Sequence, residues 1–305
     1  MRFEFIRAHA GVWPVRLMCR VLEVSPSGYY GWRDRPEEAR SAANGRLLAD
    51  VRRLQARRHG RYGSPRTHRA LRAEGHRCSR ARVERLMRRH RIRALAGRRF
   101  RPCTTDSRHH LAIAPNLLAQ RFDATAPNRV WLADISYIAT GEGGTGQGSS
   151  DAKHRWKAGG GRLYLAVVLD LAARKVAGWA MRGHVRTELT LAALMMAVQP
   201  QRPAPGLLHH SDRRSQDAAG AYADQLAAAG ATTSMSRTGN CYDNAPVESF
   251  FDTLKVELVH HRRWATREEA RRDLFSYVEG YYNRARMHSA LGYLTPEEAE
   301  KRMAG

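Results

Sequence analysis

The order of its apolar runs is what most restricts the folds open to this chain. Three β-rich segments follow one another: RVWLADISYI from Arg129, RLYLAVVLDL from Arg162 and RKVAGWAM from Arg174. Helical and extended patterns then alternate. TELTLAALMMAVQ reads as a helix, GLLHHSD as a short buried strand, and SQDAAGAYADQLAAAG as a helix stopped by Gly230. ATTSMS reads as a fifth strand and PVESFFDTLKVELVH as a helix, with Asn244 able to cap it and Pro246 in its first turn. The first two runs are apolar on both faces, as central strands require. An amphipathic helix, REEARRDLFSYVEGYYN, follows.

A three-strand meander followed by alternation predicts a mixed five-stranded sheet with flanking helices. This is an α/β class of the ribonuclease H-like kind. Three carboxylates fall at telling points of that skeleton. Asp134 lies mid-way along the first strand, Asp212 ends the fourth, and Glu248 sits in the first turn of the helix after the fifth. In this architecture the first and fourth strands are neighbours, so the two aspartates converge and the helix lays Glu248 over them. An unpaired carboxylate in a buried strand costs several kcal/mol, which metal coordination offsets. A salt bridge from Asp134 to Arg129 or Arg174 is the alternative. Hard oxygen ligands with open positions suit Mg²⁺ or Mn²⁺. Two such ions about 4 Å apart would activate a water or a 3′-hydroxyl and stabilise the leaving oxygen of a phosphodiester.

Neighbouring residues extend this candidate site. Lys255 follows Glu248 by seven residues, two helical turns, and so shares its face, where it can hold a DNA phosphate. Asn244 and Asp243 either cap the helix or touch the site. Strand alternation sends His209 and His210 to opposite faces, so at most one faces the acids, and His210 is the candidate supporting residue. His109–His110 and His260–His261 have no partner set for zinc.

Charge gives the partner class. Lys and Arg number 52 against 29 Asp and Glu, a net charge of +23, which points to a polyanion and, most simply, to nucleic acid. Between Arg77 and Arg101 stand eleven arginines and one acid, Glu84. Two short helices are predicted here. One is capped by Ser64, with Pro65 at its first position and Gly75 at its stop. The other is capped by Ser79, with Val83, Leu86 and Met87 as an apolar stripe. They form a helix-turn-helix-like pair, with Arg82, Arg85, Arg88 and Arg89 spread over the wet faces for phosphate contact. A second helix-turn pattern lies at Val15–Trp32.

The predicted organisation is a helical segment over residues 1–45, the basic helix-turn-helix-like region over 46–100 and a linker over 101–125. The catalytic core covers 126–285 and a tail 286–305. A Gly/Ser-rich stretch near 141–161 reads as a hairpin-tip insertion rather than a phosphate loop, because no helix follows it. The four cysteines are scattered without a CxxC pair, which argues against a zinc ribbon and a redox motif and for free thiols in a reducing compartment. No run of 18 apolar residues and no signal-type apolar core occurs, so the expectation is a cytoplasmic, nucleoid-associated protein without membrane contact.

WLADISYI, LYLAVVLDL, HHSDRRSQ, SMSRTGNCYDNAPVESFFDTLKVE and YYNRARMHSALGYLTPEEA together resemble the catalytic subunit of two-frame bacterial transposases of the insertion sequence three family. CRVLEVSPSGYYGW and GSPRTHRAL…RVERLM resemble the N-terminal helix-turn-helix region of the same product. The resemblance covers nearly the whole chain. It implies an integrase-type DDE core with Asp134, Asp212 and Glu248 as the triad and Lys255 as the DNA-contacting base. It also implies a homo-oligomer on double-stranded DNA and a small upstream-frame partner carrying a leucine zipper, for which this chain has no heptad run of its own. Two positions depart from the family's HSDRGSQY segment, Arg214 for Gly and Asp217 for Tyr. Arg214 removes backbone freedom beside Asp212 if a positive φ is needed there. Two other activities share these features: a regulatory or inactive DNA-binding derivative, and a ribonuclease H-like nuclease without joining activity.

Overall fold

The computed structural model describes residues 2–34, 39–95, 114–142, 161–212, 220–238 and 240–304. The chain divides into two compact units, Met1–Ala94 and Leu95–Gly305. Most of the Gly-rich stretch, the first half of the expected linker, and both Arg214 and Asp217 lie outside the described residues.

The first unit is helical. Helices α1 (Arg2–His9), α2 (Val15–Val21) and α3 (Pro26–Arg33) enclose Ile6, Met18, Cys19 and Tyr29. Ser25 starts α3 by accepting a hydrogen bond from Gly28 N at 3.0 Å, and Pro26 follows with the φ a first turn needs. Helices α4 (Ala39–Arg57), α5 (Ser64–Ala73) and α6 (Arg80–Arg89) contact one another, so α4 runs unbroken through residue 45. The basic pair forms as expected, with one shift. Gly63, not Ser64, is the cap of α5, and Pro65 takes its second position. Gly75, at φ 90°, stops the chain beyond α5 in the left-handed region open to glycine. Ser79 Oγ caps α6 by accepting from Arg82 N at 3.3 Å, and Val83, Leu86 and Met87 are buried.

The second unit is built on a five-stranded sheet. Its strands are β1 (Val130–Ala139), β2 (Arg162–Asp170), β3 (Val176–Arg182), β4 (Leu208–Ser211) and β5 (Thr232–Met235), in the order β3-β2-β1-β4-β5. The first three pair antiparallel, while β4 pairs parallel with both β1 and β5. This is the mixed sheet that the element order predicts. Trp131, Ala133, Ile135, Ala166, Val168 and Ala180 line one face. Against them pack Leu189, Ala193, Leu194 and Ala197 of α7 (Thr187–Gln201), and Tyr222 and Leu226 of α8 (Gly220–Ala228). Alternation turns Leu132, Leu165, Val167 and Leu169 to the other face, where α9 (Ala245–Glu257) contacts β1 and α10 (Arg267–Phe275) contacts β2.

The long C-terminal amphipathic helix is not regular. It leaves α10 as a π-helical turn over Ser276–Tyr282, which buries Tyr277, Val278, Tyr281 and Tyr282, with Tyr282 edge-on to Phe250 at 4.7 Å between ring centres. Beneath it Arg286 Nε donates to Glu257 at 3.0 Å and Tyr277 OH donates to the same carboxylate at 2.9 Å, so the buried pair is fully engaged. Helix α11 (Pro296–Ala304) ends the described chain. Among the described residues no helix is long and apolar enough to cross a membrane.

One glycine controls the contact of α7 with the sheet. A Cβ at Gly178 would stand 2.2 Å from Ala193 O and 2.6 Å from Ala197 N, both backbone atoms of α7. Gly178→Ala should therefore push α7 off β3 and cost roughly 1–3 kcal/mol, read as a lower urea midpoint. An unchanged midpoint would contradict this close packing.

Candidate active site

The site begins with the parallel pairing of β1 and β4. Ala133 is registered with Ser211, the last residue of β4. Asp134 and Asp212 are the next residues on the two neighbouring strands, so they stand side by side where β4 ends. Alternation carries Asp134 away from the Trp131–Ala133–Ile135 face and toward the α9 face. Its Oδ1 accepts a hydrogen bond from Ile135 N at 2.6 Å. Asp134, Asp212, Glu248 and Lys255 are all half-buried.

Helix α9 is fastened to the same place. Asn244 precedes it, but its side chain makes no cap hydrogen bond. This corrects the capping expectation. Instead Asn244 Nδ2 donates to Ala133 O at 3.0 Å, directly before Asp134. The backbone N–H groups at the start of α9 lose a side-chain acceptor, and the helix gains a fixed position beside β1. Glu248 is in the first turn held by that bond, and Lys255 follows two turns later on the same helix. The three acids thus lie on adjoining elements. Among the described residues, however, no three His, Cys, Asp or Glu side chains are gathered closely enough to form a ready-made metal cage. Like-charged carboxylates resist such an approach unless a cation lies between them.

A residue of modest prominence in the sequence organises the loop. Asp243 is fully buried. Its Oδ2 accepts from Asn116 Nδ2 at 2.8 Å, Arg237 N at 2.8 Å and Arg237 Nε at 3.0 Å. Its Oδ1 accepts from Gln120 Nε2 at 2.8 Å, Arg237 Nη2 at 2.8 Å and Asn240 Nδ2 at 3.2 Å. The Arg237 guanidinium, opposed by desolvation, holds this carboxyl well below the usual carboxylate range. The hub joins the end of the linker, the exit of β5 and the entry to α9.

The two histidines separate as alternation predicts. His209 faces α8, where its Nε2 meets Tyr222 OH at 2.9 Å, and burial pushes it down to about 3. His210 faces the acids' side, with Nδ1 2.8 Å from Ser234 Oγ and Nε2 3.2 Å from Ser236 Oγ. Burial, against the raising influence of Asp212 and Asp243, lowers it to about 4, so both imidazoles are neutral at neutral pH. Ser236 Oγ in turn donates to Asp212 Oδ1 at 3.0 Å. Ser234 and Ser236 were not singled out in the sequence. The signal was their period of two in SMS, on a strand next to HHSD, but strand pairing had to be known before it meant anything.

In the first unit Arg85, Arg88 and Arg89 of α6 are exposed, whereas Arg82 is half-buried and its Nε donates to Asn44 Oδ1 of α4 at 2.8 Å. Arg88 pairs with Glu84 at 2.7 Å on the surface, a contact of little energetic weight.

Asp243 supplies a stability test with a definite sign. Asp243→Asn points an amide at donors and should cost on the order of 2 kcal/mol near neutral pH, measured by urea unfolding. Because the folded carboxyl is depressed, its contribution is complete above the unfolded value, for which the reference is 3.8. The contribution is lost as pH falls toward the folded value, so the gap between wild type and variant should be constant from about pH 7 to 5 and shrink below about pH 4. A gap independent of pH would contradict the charged hub.

The chain is similar to known proteins along nearly its whole length. Residues 124–241 and 229–296 each match a family described as Integrase core domain, and residues 43–100 match one described as HTH-like domain. The chain is 43% identical over 279 residues to the Insertion element IS600 uncharacterized 31 kDa protein of Shigella sonnei, covering 92% of this chain and 96% of that one. It is 38% identical over 304 residues to the Transposase InsF for insertion sequence IS3A of Escherichia coli (strain K12), covering 99% of each. Among solved structures it is similar to a simian T-cell lymphotropic virus intasome in complex with PP2A regulatory subunit B56 gamma, at 12% identity and TM-score 0.42. That match covers 82% of this chain and 74% of the other. It is also similar to the HTLV-2 integrase catalytic core domain in complex with magnesium, at 12% identity and TM-score 0.37, covering 57% of this chain and 97% of the other. With two full-length relatives above 30% identity and an integrase core laid over its sheet, the chain belongs to the IS3 family of insertion-sequence transposases, the DDE polynucleotidyl transferases of DNA transposition.

Proposed function

We propose that Asp134, Asp212 and Glu248 are the catalytic acids of this transposase, and that it cleaves the ends of its element and joins them to target DNA. The observation that carries this reading is the β1–β4 register, which makes Asp134 and Asp212 neighbours, together with the Asn244–Ala133 bond that holds the helix of Glu248 beside them. The donor set fits a hard divalent cation, since all three groups are carboxylates. Asn244, only 1% exposed, adds a buried Oδ1 without a hydrogen-bond partner, an acceptor suited to the water shell that Mg²⁺ retains. Magnesium or manganese, as two ions held by these acids, would activate the attacking water or 3′-hydroxyl and stabilise the leaving oxygen.

The protein's own groups do the rest. Lys255, about 10 Å further along α9, engages a DNA phosphate with a mobile point charge. Arg85, Arg88 and Arg89 bind phosphates of the element end, while Arg82 sets α6 against α4. Asn244 and His210 hold the acids' surroundings. No covalent protein–DNA intermediate is required, so no Ser or Tyr nucleophile is assigned. The resemblance to two-frame transposases supports an upstream-frame partner that supplies the zipper, with the protein acting on DNA as an oligomer at the nucleoid.

Labelled terminal repeats incubated with the purified protein and Mn²⁺ test the reading. Asp134→Asn, Asp212→Asn and Glu248→Gln should each reduce cleavage on the order of a hundredfold or more while DNA binding persists. If Glu248→Gln cleaves like wild type, the triad is wrong. Recovery of joined products separates a transposase from a nuclease, and binding without any cleavage by wild type would indicate a regulatory protein. A salt titration reads the basic helix. Arg85→Ala and Arg89→Ala should each lower the salt slope by about 1 and weaken all DNA sequences alike. An unchanged slope would remove α6 from the interface.

A further inference from the structure

We infer that Ser236 is a positioning residue for Asp212, set by a one-way hydrogen-bond chain that runs from the linker through Ser234 and His210. The inference rests on the reading of Asp212 as a catalytic acid. Its direction follows from which groups can donate. The Ser236 hydroxyl donates to Asp212 Oδ1 at 3.0 Å, because a carboxylate only accepts. Its hydrogen being used there, Ser236 Oγ must accept from His210 Nε2, 3.2 Å away. His210 then carries its proton on Nε2, and its Nδ1 accepts from the Ser234 hydroxyl at 2.8 Å. Ser234 Oγ is free to donate because its acceptor side is taken by Leu117 N at 2.9 Å and Leu118 N at 3.4 Å. Every link therefore points toward Asp212.

The surroundings keep this chain rigid. His210, Ser234 and Ser236 are all buried, at 0%, 0% and 4% exposure. Ser236 N also donates to Ser211 O at 2.9 Å, so the serine is held by backbone next to the residue preceding Asp212. A carboxylate at the open end of a strand turns easily about its last torsion. A hydroxyl fixed from behind restrains that torsion through Oδ1. Residues that orient a metal-binding carboxylate in this manner are worth roughly 10–100-fold in affinity or activity when removed.

Two readouts on the full chain test the inference without relying on turnover. In metal-free wild type, nitrogen-15 chemical shifts of the His210 ring should report the Nε2–H tautomer, and an Nδ1–H tautomer would overturn the chain's direction. This measurement needs no variant and so survives any folding defect. Calorimetric titration with Mn²⁺ should then show a dissociation constant about tenfold higher for Ser236→Ala, with Ser236→Thr, which keeps the hydroxyl, close to wild type. A serine that serves packing alone would lower the melting temperature and leave Mn²⁺ affinity unchanged, and that result would overturn the role. Asp212→Asn separates the two levels of argument. If it binds Mn²⁺ like wild type, the assignment of the acids fails. If it loses binding while Ser236→Ala does not, the acids stand and the positioning role falls.

Discussion

Parallel pairing of β4 beside β1 is the constraint on which the rest of the site depends. Parallel strands cannot be joined by a tight turn, so the chain must leave the sheet between them. After β2 and β3 in the same sheet it does so through α7, and this excursion is what lets residues 134 and 212 meet. The pairing is short, because β4 has four residues, and β4 lies between β1 and β5. Its stability comes from neighbours on both faces, with Trp131 and Ala133 against α7 and α8, and Leu132 toward α9. Gly178 matters for the same reason, since α7 can settle only where β3 gives it room.

Around that pairing the protein places polar groups that are engaged on nearly every side. Asp243 takes three donors on each oxygen and Asn244 reaches the backbone of β1. A buried carboxylate is tolerated here because a guanidinium, donating twice, and four further hydrogen bonds compensate it. The result is a rigid loop ahead of α9, as preorganised charge stabilisation requires. Asp134, Asp212 and Glu248 are by contrast half-buried, so each keeps an open side, as the proposed cation site needs.

Two segments of the chain turn out to be more structural than their composition suggests. The end of the linker, with Asn116, Leu117, Leu118 and Gln120 bound to Ser234 and Asp243, belongs to the catalytic unit. Its prolines and lack of periodicity concealed this, because its contacts are made by backbone N–H groups and amides with no hydrophobic pattern to mark them. Likewise Arg82 reads as one arginine among many in a basic run, yet its bond to Asn44 fastens α6 to α4. Charge density cannot distinguish an arginine that binds phosphate from one that binds its own fold.

The succession of strands and helices, the sheet class and the basic helix pair were legible in the linear chain, because apolar periodicity and one-sided charge are local properties. The opposite faces of His209 and His210 followed from strand period alone. What only the tertiary structure decided are the groups joined across strands. Asn244 turned from capping its helix to bonding Ala133, and Asp243 gathered donors from three segments. Ser236 linked His210 to Asp212, and the last helix widened into a π turn around packed tyrosines. Each of these depends on which distant residue comes within hydrogen-bond or van der Waals reach. That is fixed by strand order and register, and neighbouring residues in the sequence carry no record of it.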